Sequence, residues 1–307
     1  PGVVNLADDS LEFQYLGWPG AIPHPTGYPL YAILLTAIAH FLPLGELAWR
    51  ANLLSALFAS GALGLTFLIG RRLGLSRLGA VAATAFFTLS PTFWAQATVA
   101  EVYGLHFLLM TTLVWSVLRW ADPPLEPRWL VLAALSTGLG LAHHRMIVLW
   151  LPALLLFGWL MTREHRAAPR LPWRAMLVAL LLPLVLYAWL PLRATVGSLD
   201  GSYGEVGFTC WVTACQYQST FLWQSNPLAD PVPLTFFLDL TLGEIGWLGM
   251  GLALLGAAWL WRHPARWVLV LGGLAANAFF ALAFVVPDRE VFWLPALWCL
   301  TLLAGAG

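Results

Sequence analysis

Apolar residues fall in long runs separated by short polar connections: 51–70, 78–93, 102–117, 129–142, 146–161, 175–192, 245–261, 267–286 and 292–306. A membrane-spanning helix needs about 17–25 mostly apolar residues, and these runs meet or approach that length. The pattern predicts an all-α, polytopic transmembrane bundle of about nine spans. Regular strands are not expected, because backbone exposed to lipid must satisfy its hydrogen bonds within a helix. The segment 28–44 is apolar but carries Pro29, His40 and Pro43, and reads as a juxtamembrane helix. A single membrane domain over residues 1–307 is expected, with a first outer loop at 1–49 and a large outer loop at 193–244.

Composition agrees with this reading. The chain is 60% hydrophobic and 10% charged, with mean hydropathy +0.77, whereas a soluble domain carries roughly 25% charged residues. All fifteen basic residues are arginine. Eleven of them (Arg71, Arg72, Arg77, Arg119, Arg128, Arg163, Arg166, Arg170, Arg174, Arg262 and Arg266) occupy four alternate connections, with only Asp122, Glu126 and Glu164 beside them. The positive-inside rule makes those connections cytoplasmic. Eleven arginines against three acids give that face a charge of +8, and four arginines against twelve acids give the other −8. A net charge of zero hides a polarised molecule. Residues 1–49 then lie outside with no preceding span, so at least one span is expected before Pro1, in a sequence clipped at both ends.

Polar chemistry concentrates on the acidic face. Asp8, Asp9 and Glu12 precede the juxtamembrane segment, where partial desolvation would raise a carboxylate's proton affinity and suit a general base; a solvated acidic loop is the alternative. His24 to Tyr31 reads His-Pro-Thr-Gly-Tyr-Pro-Leu-Tyr, a rigid elbow in which His24 either meets a phosphate or caps the turn. Glu101 opens a helix, either as a favourable N-terminal charge or to orient an acceptor or an arginine. Arg50, Arg145, Arg193 and Arg289 break the charge rule. Each is a snorkelling anchor, an ion-pair partner or a contact to an anionic ligand, for which the planar guanidinium fork is suited. Cys210 and Cys215 share the outer loop and can pair in an oxidising compartment, although free thiols are the expectation. Ser60 and Gly64, four apart, would let a neighbouring helix approach. No nucleotide-binding loop, nucleophile elbow or metal-ligand spacing of Cys and His occurs.

Six motifs follow one another along the chain: Asp9-Ser10-x-Glu12, His24-Pro-x-Gly-Tyr-Pro-Leu-Tyr31, Trp49-Arg-x-Asn-Leu-x-Ser55, Ser90-Pro-Thr-Phe-Trp-x-Gln96, Ala100-Glu-Val-Tyr103 and Pro287-Asp-x-Glu-Val-Phe292. Together they resemble the transmembrane protein 260-like family of protein O-mannosyltransferases and its bacterial relatives, in the GT-C superfamily of glycosyltransferases. The resemblance implies a GT-C bundle whose first outer loop carries the catalytic acid, and inverting transfer of a sugar from a polyprenyl phosphate. It implies Asp9 as general base, Glu101 as the second acid, and Arg50 as a contact to the lipid phosphate. Asp8 stands where the family usually has Gly, and competes with Asp9 for the base role. Leu11 replaces another Gly, and Thr26 replaces the second Pro of a His-Pro-Pro-Gly pattern.

The reading is therefore an inverting membrane glycosyltransferase. It would move a sugar, by resemblance mannose, to an acceptor hydroxyl on the extracytoplasmic face of a bacterial plasma membrane. Asp9, Glu101 and Asp8 are the catalytic candidates. Arg50, His24, Tyr28, Glu12, Tyr103, Arg145, Arg193, Asp288 and Glu290 are the candidates for binding substrate. No metal ligand and no cofactor is expected, since the lipid-phosphate sugar is a substrate. The expected partners are membrane lipid, the polyprenyl-phosphate donor and a protein or glycan acceptor, not nucleic acid. A lipid acceptor, or a transporter of lipid-linked anions, are the competing readings.

Overall fold

The computed structural model describes residues 9–165, 171–220 and 232–307. Among them the chain is helical throughout, apart from turns and one isolated bridge between Ile22 and Ser198. Two short helices come first, α1 (Ser10–Leu16) and α2 (Pro29–Phe41), followed by the long α3 (Leu47–Leu73). A bent pair, α4 (Arg77–Thr88) and α5 (Pro91–Thr98), turns through 70°. Next come α6 (Tyr103–Ala121) and α7 (Arg128–Leu141). A 3-10 segment, Arg145–Trp150, leads into α8 (Leu151–His165). The helix α9 (Trp173–Leu181) runs through a 3-10 segment into α10 (Trp189–Leu192). The chain continues through α11 (Ser202–Thr213), α12 (Val232–Leu260), α13 (Pro264–Ala283) and α14 (Glu290–Ala306).

Six of the predicted spans are helical stretches long and apolar enough to cross a membrane: Leu47–Leu73, Tyr103–Ala121, Arg145–Arg163, Trp173–Leu192, Leu234–Leu260 and Pro264–Ala283. The run 78–93 is the bent pair, and counting it as one span gives seven. The remaining two runs are the shorter apolar helices α7 and α14, of 14 and 17 residues. The bend has a local cause. Ser90 accepts a hydrogen bond from the Phe93 amide at 3.2 Å, and Pro91 takes the first helical position, so a new helix starts where α4 stops. Glu244 of α12 receives the Thr92 amide at 3.3 Å and its hydroxyl, fixing the direction of α5.

The large outer loop is shorter than expected. Helix α12 starts at Val232 and continues past Gly246, where the backbone breaks to φ 66° and ψ 175°. Asp239 and Glu244 interrupt the apolar run of its first half and hide it from hydropathy. Helices α6 and α14 form the centre. Most of α6 is buried, against 11% of the Trp173–Leu192 stretch at the periphery. In α14, Trp298 is buried and its indole N–H donates to Thr66 Oγ1 at 2.9 Å, tying it to α3. The expected close approach at Ser60 and Gly64 does not occur. Both face outward, and a side chain at Gly64 would meet nothing within 4 Å. The intimate contact lies instead between α3 and α6, where a Cβ on Gly104 would fall 2.7 Å from the Ser55 carbonyl oxygen.

Candidate active site at one end of the bundle

The segments between the helices build a cavity of about 360 Å³ at the end of the bundle where α3, α6 and α8 begin and α13 ends. Its first wall comes from α1 and the elbow after it. Asp9 occupies the N-cap position of α1, but its carboxylate makes no capping bond to that helix. It faces His24 instead, with Nε2 3.4 Å from Asp9 Oδ2. Glu12, one turn further on, grips His24 twice: Nδ1 lies 2.5 Å from Oε2, and the His24 amide donates to Oε1 at 3.0 Å. The imidazole thus bridges two carboxylates. Burial lowers its proton affinity, but the hydrogen bond and charge of Glu12, with the charges of Asp9 and Glu101, outweigh burial and raise its pKa above the ordinary 6.5.

The elbow is held by its own geometry. Gly27 has φ +85°, and a Cβ there would meet the Leu190 side chain at 2.9 Å. Trp211 of α11 donates to the Pro23 carbonyl at 2.9 Å. Tyr28, at φ 32°, turns its ring into the cavity before Pro29 starts α2. Burial, with Asp9 close by, raises the Tyr28 pKa well above the ordinary value and keeps its hydroxyl protonated.

Glu101 forms the floor beside Asp9. It is 4% exposed, and Ser10 donates to its Oε1 at 3.1 Å. Its backbone is clamped by Ser55, which accepts from the Glu101 amide at 3.1 Å and approaches its carbonyl at 3.2 Å, while Tyr31 reaches Ser55 at 2.9 Å. Gln14 donates to Asn52 at 3.1 Å on the same seam. These bonds account for the polar positions of the Trp49–Ser55 motif: they lock α1, α2 and α3 under the site. Burial, then the Asp9 charge, raises the Glu101 pKa from 4.5 to about 8. Two carboxylates in unlike environments are a common basis for dividing acid and base roles. Glu101 is therefore a neutral acid at neutral pH.

His143 and His144 close the far side. The carbonyl of Val102 can only accept, so His143 carries its proton on Nε2 and donates across 2.8 Å. Burial pushes its pKa down to about 4, and burial with the neighbouring histidines and Arg145 pushes His144 well below the ordinary range. Both stay neutral. Beyond them Arg145 lines the cavity, and among the described residues it has no hydrogen-bond or ion-pair partner. Around it lie apolar groups of the 3-10 segment, the end of α13 and α14, including Val148, Leu149, Phe280, Phe284 and Phe292. Tyr103, Asp288 and Tyr217 complete the lining.

Several expected site residues fall elsewhere. Arg50 lies outside the cavity lining. Its guanidinium donates to the carbonyls of Ala39 at 2.6 Å, Leu44 at 3.0 Å and Gly45 at 3.0 Å, closing the C-terminal end of α2. Arg193 donates to the carbonyls of Gly20, at 2.7 Å, and Pro19, and so pins the α1–α2 loop to α10. Arg289 packs over the Phe236 ring at 4.7 Å. Unpaired carbonyls at helix ends and turns attract these cations as well as a phosphate would. Glu290 sits in the first turn of α14, outside the lining. Asp8 lies outside the described residues. Sequence reading missed His144, Tyr217, Phe280 and Phe284, whose proximity comes from segments far apart in the chain. Cys210 and Cys215, expected as free thiols, are disulfide-bonded with Cα atoms 5.0 Å apart, because the turn between α11 and the 3-10 segment Cys215–Thr220 folds them together.

Asp9, Glu12 and His24 also present one ligand atom each within 4.8 Å of one another, the only group of three His, Cys, Asp or Glu among the described residues with metal-binding spacing. A cation there would compete with a proton for the ring nitrogens of His24.

Comparison with known proteins places this arrangement. ArnT of Cupriavidus metallidurans bound to undecaprenyl phosphate superposes with a TM-score of 0.65 at 16% identity, over 97% of this chain and 55% of that one. Its apo form gives 0.62 at 15% identity, over 96% and 53%. The bundle therefore has the GT-C fold. The protein O-mannosyl-transferase TMEM260 of Mus musculus is 29% identical over 203 residues, 64% of this chain and only 28% of the relative's own length. The family model described as the protein O-mannosyl-transferase TMEM260 N-terminal domain matches residues 9–167, which hold every wall of the cavity up to Arg145. The chain belongs to that family.

Proposed function

We propose that the protein is an inverting membrane glycosyltransferase that moves a sugar, mannose by analogy with the mouse relative, from a polyprenyl phosphate to an acceptor hydroxyl, in a protein by the same analogy. One observation carries the reading: a single cavity holds the buttressed carboxylate Asp9, the uncommitted cation Arg145 and an apolar aromatic flank. A lipid-linked phosphosugar needs these three surfaces. ArnT, a bundle of the same fold, binds undecaprenyl phosphate.

The acceptor hydroxyl hydrogen-bonds Asp9. As its oxygen bonds the anomeric carbon, the proton passes to Asp9. The bond from that carbon to the phosphate oxygen breaks on the opposite side, and the lipid phosphate leaves with the electron pair. Arg145 meets the charge growing on the phosphate, and Phe280 and Phe284 flank the first isoprene units. His24, held by Glu12, fixes the rotamer of Asp9. Neutral Glu101 supports the floor without repelling the phosphate. The step as drawn uses no cofactor, and transfer measured with and without a chelator tests whether the Asp9, Glu12 and His24 group holds a cation. The disulfide beside the cavity suits an oxidising, extracytoplasmic compartment.

The test incubates membranes with polyprenyl-phosphate mannose and a Ser/Thr-rich peptide. Sugar on the peptide, lost in Asp9→Asn, is the expected result. Lipid moved between leaflets with no sugar released would make the protein a transporter. Sugar found on a glycan or lipid alone would replace the protein acceptor.

A further inference from the structure

A second cavity, of about 390 Å³, opens at the other end of α6 and α13. It lies where α3 and α6 end and α13 begins. Arg72, Arg262 and Arg266 line it with one acid, Asp122. That acid is already shared: it pairs with Arg72, and with Arg119 at 3.8 Å. Arg266 spends one bond on the Leu73 carbonyl, at 3.3 Å. Arg262 is exposed, and among the described residues its guanidinium has no partner. Three arginines against one carboxylate leave the lining with an excess of two positive charges. The first turn of α13 adds its amides, and its N-cap, His263, makes no side-chain capping bond. Such a terminus favours an anion.

The other lining residues are apolar: Leu118, Phe157 and Met161 rise from the rim along α6 and α8. Trp261, 67% exposed beside Arg262, and Trp267, stacked edge-on to it at 4.9 Å, mark the depth of a membrane interface. A basic rim over apolar walls at that depth fits a phosphate bearing an acyl or prenyl chain better than a soluble anion.

We propose that this cavity is a binding site for the phosphate headgroup of an anionic lipid, in the leaflet opposite the acidic cavity. The site is independent of the sugar-transfer reading, because it uses none of that cavity's residues. Arginines at a membrane surface contribute about 1 kcal/mol each toward anionic lipid. Arg262→Gln should therefore weaken binding about five-fold, and Arg262→Gln with Arg266→Gln about 25-fold.

The experiment titrates the purified full chain in detergent with phosphatidylglycerol, with phosphatidylcholine and with inorganic phosphate, counting bound lipid by native mass spectrometry and following thermal unfolding. Retention of phosphatidylglycerol over phosphatidylcholine, reduced in the double variant, is the expected result. Arg262→Gln, an exposed change with no described side-chain bond to lose, keeps the test open if the double variant fails to fold. Arg163→Gln, at the same end but outside the lining and stacked on Trp159, should bind as wild type. Equal retention of the two lipids, or retention unaffected by Arg262→Gln, would overturn the site. Stabilisation by inorganic phosphate alone would overturn the lipid source.

Discussion

The two ends of this bundle share α6 and α13 and do opposite things with charge. At one end α6, α13, α14 and the segments between helices carry a cavity in which Glu101 is buried, Asp9 pairs with a histidine, and Arg145 has no partner among the described residues. At the other end α3, α6, α8 and α13 carry a cavity whose arginines outnumber its acid and whose rim is open. Along α6, Tyr103 and Leu118 mark the two cavities, about 22 Å apart at 1.5 Å per residue. A topology rule explains the second end, since positive residues stay on one side. It does not explain the first, where the Glu101 carboxyl is desolvated at a cost that no topology requires. A cost of that kind, next to a cavity, is a sign of chemistry.

The comparison breaks most directly at Asp9. Replacing it with Asn keeps the shape and removes the base, and transfer is expected to fall about 10²–10⁴-fold with little change in donor KM. A loss below ten-fold would move the base role elsewhere, with Asp8→Asn the next variant. Arg145→Ala is expected to cost about 10²–10³-fold, and Arg145→Lys to recover part of it as a point charge without the fork. Arg50→Ala should separate from both. Its guanidinium closes the end of α2, so the expected outcome is about 1–3 kcal/mol of lost stability, with the donor concentration dependence of the remaining folded protein unchanged. A raised donor KM in Arg50→Ala would return that residue to the phosphate.

These variants also trace how much of the site was readable. The spans were legible because apolar runs must be long in a bilayer, and the two that proved short, 129–142 and 292–306, sit in helices packed by protein. Asp9, Glu101, His24, Tyr28 and Tyr103 were legible through ordered motifs, and all line one cavity. The four outer arginines were legible as exceptions, yet only Arg145 lines it. A charge in a string of letters does not say whether its guanidinium will meet a carbonyl or a ligand; that depends on which helix ends fold against it. The same limit hid Glu12, expected to bind substrate and found gripping His24. Most of the aromatic flank was out of reach for another reason: Phe280 and Phe284 are ordinary apolar residues until α13 brings them beside Arg145.

The smallest expected effect is also the sharpest test of the buried acid. Burial and the charge of Asp9 raise Glu101 from 4.5 to about 8, so between those values the folded protein holds a proton that the unfolded chain releases. Stability therefore falls as pH rises through that window, and the full loss is reached above about 8. His24 acts in the same direction. Its raised pKa stabilises the fold fully below 6.5, and that contribution disappears as pH rises through the folded value. In Glu101→Gln the first part vanishes, and thermal unfolding from pH 5 to 9 should depend less steeply on pH, by on the order of a few kcal/mol at most. Transfer should follow: wild type declines above about pH 8 as Glu101 ionises next to Asp9 and the phosphate, while Glu101→Gln keeps its rate, since a neutral amide replaces a neutral acid. An alkaline decline that survives unchanged in Glu101→Gln would assign it to another group and would leave Glu101 as packing beneath the base.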